Sequence, residues 1–297
     1  MPLDPGSRDQ FCGYARSLLR RLPELNDIEI DNEPNSKNFW RPQFGPDGRP
    51  ASPAAYELLL ARCYDLLHAE RAEVNVVAFS TSNRGTDSPR GIAAGLSPGS
   101  FILGVGAAYR ASGRSEPIFD TVSHHPYPLS SREPPGQHHL DPRVIGEGDW
   151  SRLMGVLYTA FSGTAQPIPG QCGIGRCVEI WYSEDGFQTE VEDEKAGLYS
   201  GAENAVTVPA ESTGRDHGFQ LGSALRIAFC QPFVGAFFNF ELVDEARLSG
   251  WQSGLFWPDW TPKQSTADFA SAVGAVTSGR VDCSHRRYSF EADDTAA

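Results

Sequence analysis

Along the chain, apolar positions follow two alternating periods. Spacings of three and four mark helices over residues 8–21, where Phe11, Ala15, Leu18 and Leu19 share a side, and over 53–70, where Tyr56, Leu59, Leu60, Cys63, Tyr64 and Leu67 do. Further helices are expected over 101–109, 149–162 and 218–229, and a last one after Lys263. Between them lie short runs rich in β-branched and aromatic residues, the composition of strands. Ile28, Glu29, Ile30 and Asp31 alternate apolar and acidic before the break at Pro34, and residues 74–79 form a nearly unbroken apolar run, as in a parallel strand covered on both faces. Runs at 118–123, 178–184 and 234–242 follow. Strand and helix in regular alternation predict an α/β fold with a parallel sheet of five strands.

The residues at the strand ends carry the chemistry. Asn32 and Glu33 stand just before Pro34, which removes a backbone donor and ends sheet pairing, so the carboxylate faces a loop or cleft. Read alone, this is either an ordinary strand end or a site at a strand's carboxyl lip. The run over 178–184 also ends in a glutamate, Glu184, followed by the turn signal Asp185-Gly186. Two strands that each terminate in a glutamate suggest two carboxylates facing each other across a barrel mouth. Glycoside hydrolysis uses such a pair, one to protonate the leaving oxygen and one to attack or to stabilise positive charge. His124-His125-Pro126-Tyr127 closes a third strand with groups capable of proton transfer.

In these residues the chain resembles the cellulase-like clan A glycoside hydrolases, which are (β/α)8 barrels. Asn32-Glu33-Pro34-Asn35 is similar to the motif ending that clan's fourth strand, and Ser183-Glu184-Asp185-Gly186-Phe187 to its seventh-strand segment. The resemblance implies Glu33 as general acid/base, Glu184 as nucleophile and a retaining mechanism on a β-linked carbohydrate. It implies Asn32 on the sugar 2-hydroxyl, and His125 and Tyr127 at the subsite holding the cleaved sugar. Trp257 and Phe238 would contribute to a sugar-stacking floor. Trp40, in a Pro- and Gly-rich loop over 36–52, serves either as a stacking platform or as the centre of a small cluster of that loop's own. The expected fold is thus a partial (β/α)8 TIM barrel covering about the fourth to eighth βα units, with residues 1–280 as catalytic domain and 281–297 as a C-terminal tail. Only 32 residues precede Glu33, whereas eight βα units need about 250. The first three strands are therefore expected to be missing, which leaves an open edge for a partner chain or for self-association. A catalytically impaired carbohydrate-binding remnant is the alternative.

Composition narrows the partners. With 297 residues and 40% hydrophobic side chains there is material for a large core. The net charge of −13 argues against nucleic acid and anionic membranes. No apolar run nears the roughly 18 residues of a bilayer span, and residues 1–10 show no basic-then-apolar leader, although the resemblance implies extracellular full-length relatives. Four of the seven histidines fall at 124, 125, 138 and 139, but adjacent side chains on an extended chain point opposite ways, so no metal and no cofactor is expected. The acidic run around Glu190, Glu192, Asp193 and Glu194 reads as a solvated loop. Cys172 and Cys177 flank a turn able to bring them within disulfide range, whereas Cys12 and Cys63 read as buried small residues on helix faces.

Overall fold

The architecture comes from a computed structural model that describes residues 1–90, 95–173, 176–202 and 214–284. Five strands, β1 (Asp27–Glu29), β2 (Asn75–Ser82), β3 (Thr121–His125), β4 (Glu179–Asp185) and β5 (Val234–Asn239), lie in sequence order and pair in parallel throughout. Six helices flank them: α1 (Pro5–Arg21), α2 (Ser52–Glu70), α3 (Pro98–Ser112), α4 (Trp150–Phe161), α5 (Gly214–Cys230) and α6 (Ser265–Thr277). Sequential strand order with a helix in each crossover gives a curled half-barrel, the partial α/β TIM barrel expected from the alternating pattern.

Local chemistry explains where the helices begin. Asp4 caps α1 by accepting from the Ser7 amide at 3.0 Å, and Pro5 occupies the first turn, where its missing donor costs nothing. Ser97 caps α3 in the same way, and Gly113 ends it with φ 67°, a left-handed conformation that a residue without Cβ adopts freely. Apolar residues of β1 to β4 (Ile28, Val76, Ala78, Val122, Ile180, Tyr182) and Ile30 just after β1 share one buried core with the helical residues Tyr56, Leu60, Phe101, Leu153 and Phe161. On the opposite pleat the polar residues Asp27, Asn75, Thr121, Glu29, Ser123 and Ser183 hydrogen-bond among themselves across the strands.

Three disulfides staple the periphery. Cys172–Cys177 closes its turn, while Cys12–Cys63 ties α1 to α2 and Cys230–Cys283 ties the end of α5 to the segment after α6. The reading of Cys12 and Cys63 as unlinked core residues is corrected. Both are fully buried, but the packing of α1 on α2 sets their side chains opposite each other, a proximity that a sequence separation of 51 conceals. The tail expected from residue 281 is fastened at Cys283, and residues 285–297 lie outside the described residues. The acidic run forms a short 3-10 helix, Asp193–Leu198, with no buried residue.

Candidate active site

The first strand leaves the sheet earlier than its alternation predicts. Pairing in β1 ends at Glu29, because Asp31 and Glu33 take φ of 69° and 41°, the left-handed region that side chains with Cβ rarely enter. Each such residue costs on the order of 1–3 kcal/mol and persists only when its surroundings over-determine it. Here they do. The Glu33 amide donates to the Ser80 carbonyl at 3.0 Å, and its own carbonyl accepts from the Ser36 amide at 2.8 Å. Asn35, fully buried, donates to Ser82 Oγ at 2.9 Å and accepts from the Ser82 amide at 3.0 Å. On the neighbouring strand Phe79 and Ser80 also have positive φ and bulge the ladder. The Tyr56 hydroxyl satisfies the groups this exposes, donating to the Ile30 carbonyl and accepting from the Phe79 amide, both at 2.8 Å.

These bends aim Glu33 across the sheet's carboxyl end. Glu33 Oε1 lies 3.3 Å from His125 Nδ1, and Glu184 Oε2 lies 3.5 Å from the same nitrogen. Two carboxylates separated by more than 150 residues of sequence thus share one ring atom. The Tyr127 hydroxyl donates to Glu184 Oε2 at 3.0 Å, and His125 Nε2 contacts Ser183 Oγ at 3.0 Å. His125 is fully buried, whereas the two glutamate side chains keep 17% and 25% exposure, enough to meet a ligand. After Glu184 the chain turns at Asp185-Gly186. A Cβ at Gly186 would collide with the Phe240 carbonyl oxygen, so glycine lets the ends of β4 and β5 approach.

Charge follows from this crowding. Burial raises the Glu184 carboxyl above its ordinary value, with Glu33 and Glu29 pushing the same way, while His125 and the Tyr127 hydroxyl oppose them. Burial alone would lower the His125 imidazolium, but its hydrogen bond to Glu33 and the charges of Glu184, Glu33 and Glu29 outweigh that and leave it raised. Asp185 is fully buried and pushed up to about 7 by burial, its Oδ1 without a hydrogen-bond partner.

Asn32 sits half-buried on the turn beside Glu33. The expected aromatics lie elsewhere. Trp40 is fully buried edge-on to Tyr56 of α2 at 5.7 Å, so it belongs to the main core rather than to a cluster of the loop's own and offers no face to a sugar. Trp257 is also buried, under Lys263 Nζ at 4.7 Å. Phe238 is exposed but packs beside Trp181 and lines a groove of about 410 Å³ with Leu242, Leu255, Phe269 and Val273. The aromatic that meets the carboxylates' neighbourhood is instead Trp251, stacked on Tyr127 at 5.3 Å with Phe240 edge-on at 5.6 Å. Its only signal in the sequence is membership of a Trp-rich segment. His139 bridges Asp149 at 2.6 Å and Glu133 at 3.1 Å, fastening the loop after β3. Among the described residues no group of three or more His, Cys, Asp or Glu side chains is arranged to hold a metal, and no helix is long and apolar enough to cross a membrane.

No protein-family model and no curated protein matches the chain. Solved structures do. The chain is similar to a family 39 glycoside hydrolase from Bacteroides cellulosilyticus WH2, with TM-score 0.55 and 15% identity, over 98% of this chain and 48% of that one. It is similar to a GH39 β-xylosidase from Caulobacter crescentus, with TM-score 0.52 and 16% identity over 91% and 47%. A GH39 enzyme from Xanthomonas axonopodis pv. citri gives 0.51 and 15% over 91% and 45%. The chain spans less than half the length of each. The likeness is one of fold, and the half-barrel built here is a fold that glycoside hydrolases share.

Proposed function

We propose that the chain carries the catalytic half of a retaining glycoside hydrolase acting on O-glycosidic bonds of a β-linked oligo- or polysaccharide. Glu184 attacks the anomeric carbon as the bond to the leaving oxygen breaks, and Glu33 gives that oxygen its proton. A water then adds to the same carbon, Glu33 takes its proton, and Glu184 departs. Asn32 binds the 2-hydroxyl, and His125 and Tyr127 hold the carboxylates toward the cleaved sugar. The observation that carries this reading is the placement of both glutamate oxygens on one nitrogen, at 3.3 and 3.5 Å. Oxygens so placed are no farther apart than the two distances laid end to end. That fits the separation of about 5–5.5 Å used by retaining enzymes and disfavours most of the 6.5–9.5 Å inverting range.

The β-xylosidase named among the structural neighbours makes an aryl β-xyloside the first substrate to try. The three disulfides support an oxidising compartment. The rival reading, a binding remnant, draws on the five strands present where a closed barrel has eight. A panel of aryl β-glycosides with wild type, Glu33→Gln and Glu184→Gln separates the two. The enzyme reading expects turnover that falls by at least about 10³-fold in Glu184→Gln, with a burst of aglycone from the covalent intermediate. Sugar binding that survives both substitutions, with no turnover in the wild type, would establish the remnant.

A further inference from the structure

A third carboxylate stands behind the pair. Glu29 is the last residue of β1, and its Oε1 faces three serine hydroxyls, one from each of the next three strands: Ser80, Ser123 at 3.3 Å and Ser183 at 3.1 Å. Ser123 and Ser183 also touch each other, Oγ to Oγ, at 2.5 Å. Ser183 Oγ is in turn 3.0 Å from His125 Nε2, the ring nitrogen that faces away from Glu33 and Glu184. The line from one carboxylate to the other two therefore runs through the Ser183 hydroxyl and the His125 ring, with Glu29 Oε1 also 4.0 Å from Nε2 directly.

Counting protons along that line shows which arrangement the contacts favour. An ionised carboxylate only accepts, a hydroxyl has one proton and two lone pairs, and each imidazole nitrogen either donates or accepts. With Glu29 ionised, Ser183 gives its one proton to Glu29. Ser123 can give its one proton to Glu29 or to Ser183, and while Ser183 donates to Glu29 its contact with His125 Nε2 is filled only if that nitrogen carries a hydrogen. At the other end, Nδ1 faces Glu33 Oε1 and Glu184 Oε2, and with these two oxygens unprotonated, any proton of Glu33 being on its other oxygen, Nδ1 must carry one too. A neutral ring has one proton for two nitrogens that both need to donate. Were residue 29 able to donate to Ser183, Ser183 could reverse and give its proton to Nε2, and a neutral ring would keep that contact.

We propose that Glu29 is a positioning residue which, through Ser183, holds His125 as a doubly protonated cation donating toward both Glu33 and Glu184. The raised His125 value agrees with this, with Glu29 among its causes. The titratable and charged groups facing the ring are Glu29 and Glu33 from β1 and its turn, Glu184 and Asp185 from β4, and His124 and Tyr127 from its own strand and the loop beyond. The proton count concerns the ring alone. Its consequence, a cation that keeps the nucleophile ionised and turned toward the sugar, rests on the glycosidase reading.

The test is a ¹⁵N histidine NMR titration of the full chain, with His125 assigned by its loss in His125→Gln. In wild type both ring nitrogens should report attached protons at neutral pH. In Glu29→Gln and in Ser183→Ala the midpoint should fall by about one pH unit and the ring should become a single neutral tautomer near pH 7. A neutral His125 in wild type at that pH, or a midpoint unmoved by either substitution, overturns the proposal. Should Glu29→Gln not fold, the wild-type protonation state and the Ser183→Ala titration still decide. Turnover measured on the same samples keeps the two claims apart. A His125 that titrates as expected in a chain without glycosidase activity sinks the enzyme reading and leaves the role of Glu29 standing.

Discussion

β2 and β5 belong to one parallel sheet, yet seven of the eight residues of β2 are buried and none of the six in β5 is. β2 has a strand on each side and is covered by α2 and α3. β5 pairs only with β4 and presents Phe238 and the groove beside α6 to solvent. The site straddles this difference: Glu33 is braced against β2, and Glu184 leaves β4 beside β5. One carboxylate is thus mounted on the best-packed part of the molecule and the other next to its least covered edge. Stability and chemistry are therefore expected to respond to different residues.

The sharpest way to break the comparison is Phe79→Ala. Phe79 is fully buried and packs on Tyr56 at 6.2 Å, on Phe119 at 5.3 Å and on Phe161 at 6.2 Å. Removing such a ring costs about 3–5 kcal/mol through lost transfer energy and the cavity left behind. Because Phe79 also forms the bulge that Tyr56 caps, the substitution should loosen the Glu33 turn as well. Chemical denaturation should show the midpoint falling steeply. A loss under about 1 kcal/mol would mean that β2 is not the anchor its burial implies.

Particular residues show how much of this was legible in the sequence. The helix and strand alternation was readable because period 3.6 and β-branched runs reflect burial directly, and Glu33, Glu184, His125 and Tyr127, which the structure brings together, stand out at strand ends. Strand boundaries were less readable: β1 stops at Glu29 because of the positive φ at Asp31 and Glu33, positions that no glycine marks. Trp40, Phe238 and Trp257 show why aromatic platforms are not readable. A ring beside a motif fills a core or meets solvent according to loop packing, which no local spacing encodes. The Glu29 network and the Cys12–Cys63 and Cys230–Cys283 bridges depend on register across strands and helices, and so on residues far apart in the chain.

A change of pH sharpens the contrast at intermediate size. Asp185 sits where β4 meets β5, its carbonyl accepting from the Phe240 amide at 2.7 Å, and its carboxyl lies at about 7 in the fold against an ordinary 3.8. A carboxyl raised by folding holds a proton that the unfolded chain has already released. Stability therefore falls as pH rises from about 4 to about 7, and above that the full cost of a buried charge is present. His124 and His217 act oppositely. Burial lowers them to about 4 and about 3, so the stability of their neutral forms is present above 6.5 and is lost as pH falls through the folded values. Asp185→Asn should thus gain on the order of a few kcal/mol above pH 7 and nothing near pH 4, removing this contribution while those of Asp31, Glu184 and Glu241, also raised by burial, remain. Stability curves at several pH values, measured by urea titration, would read this directly. A gain of equal size at all pH values would assign the effect to packing rather than to charge.

The smallest effect on folding belongs to Phe238→Ser, and its value lies in what it leaves alone. Phe238 keeps 49% of its surface exposed, as Leu242 keeps 55% and Val273 39%, all three lining the groove between β5 and α6. A side chain already half in water has little transfer energy to lose, so the denaturation midpoint should move by less than about 1 kcal/mol. Association is another matter, because an unpaired parallel edge beside an apolar groove invites a further strand and its helix. If copies of the chain associate through this edge, sedimentation velocity should show a concentration-dependent species in wild type that Phe238→Ser reduces several-fold, while an outward substitution on the buried side of the sheet, Leu58→Ser on α2, leaves it unchanged. An oligomer that persists in Phe238→Ser would move the contact to the β1 edge. A wild type that stays monomeric at all concentrations would show that exposure in β5 does not drive self-association.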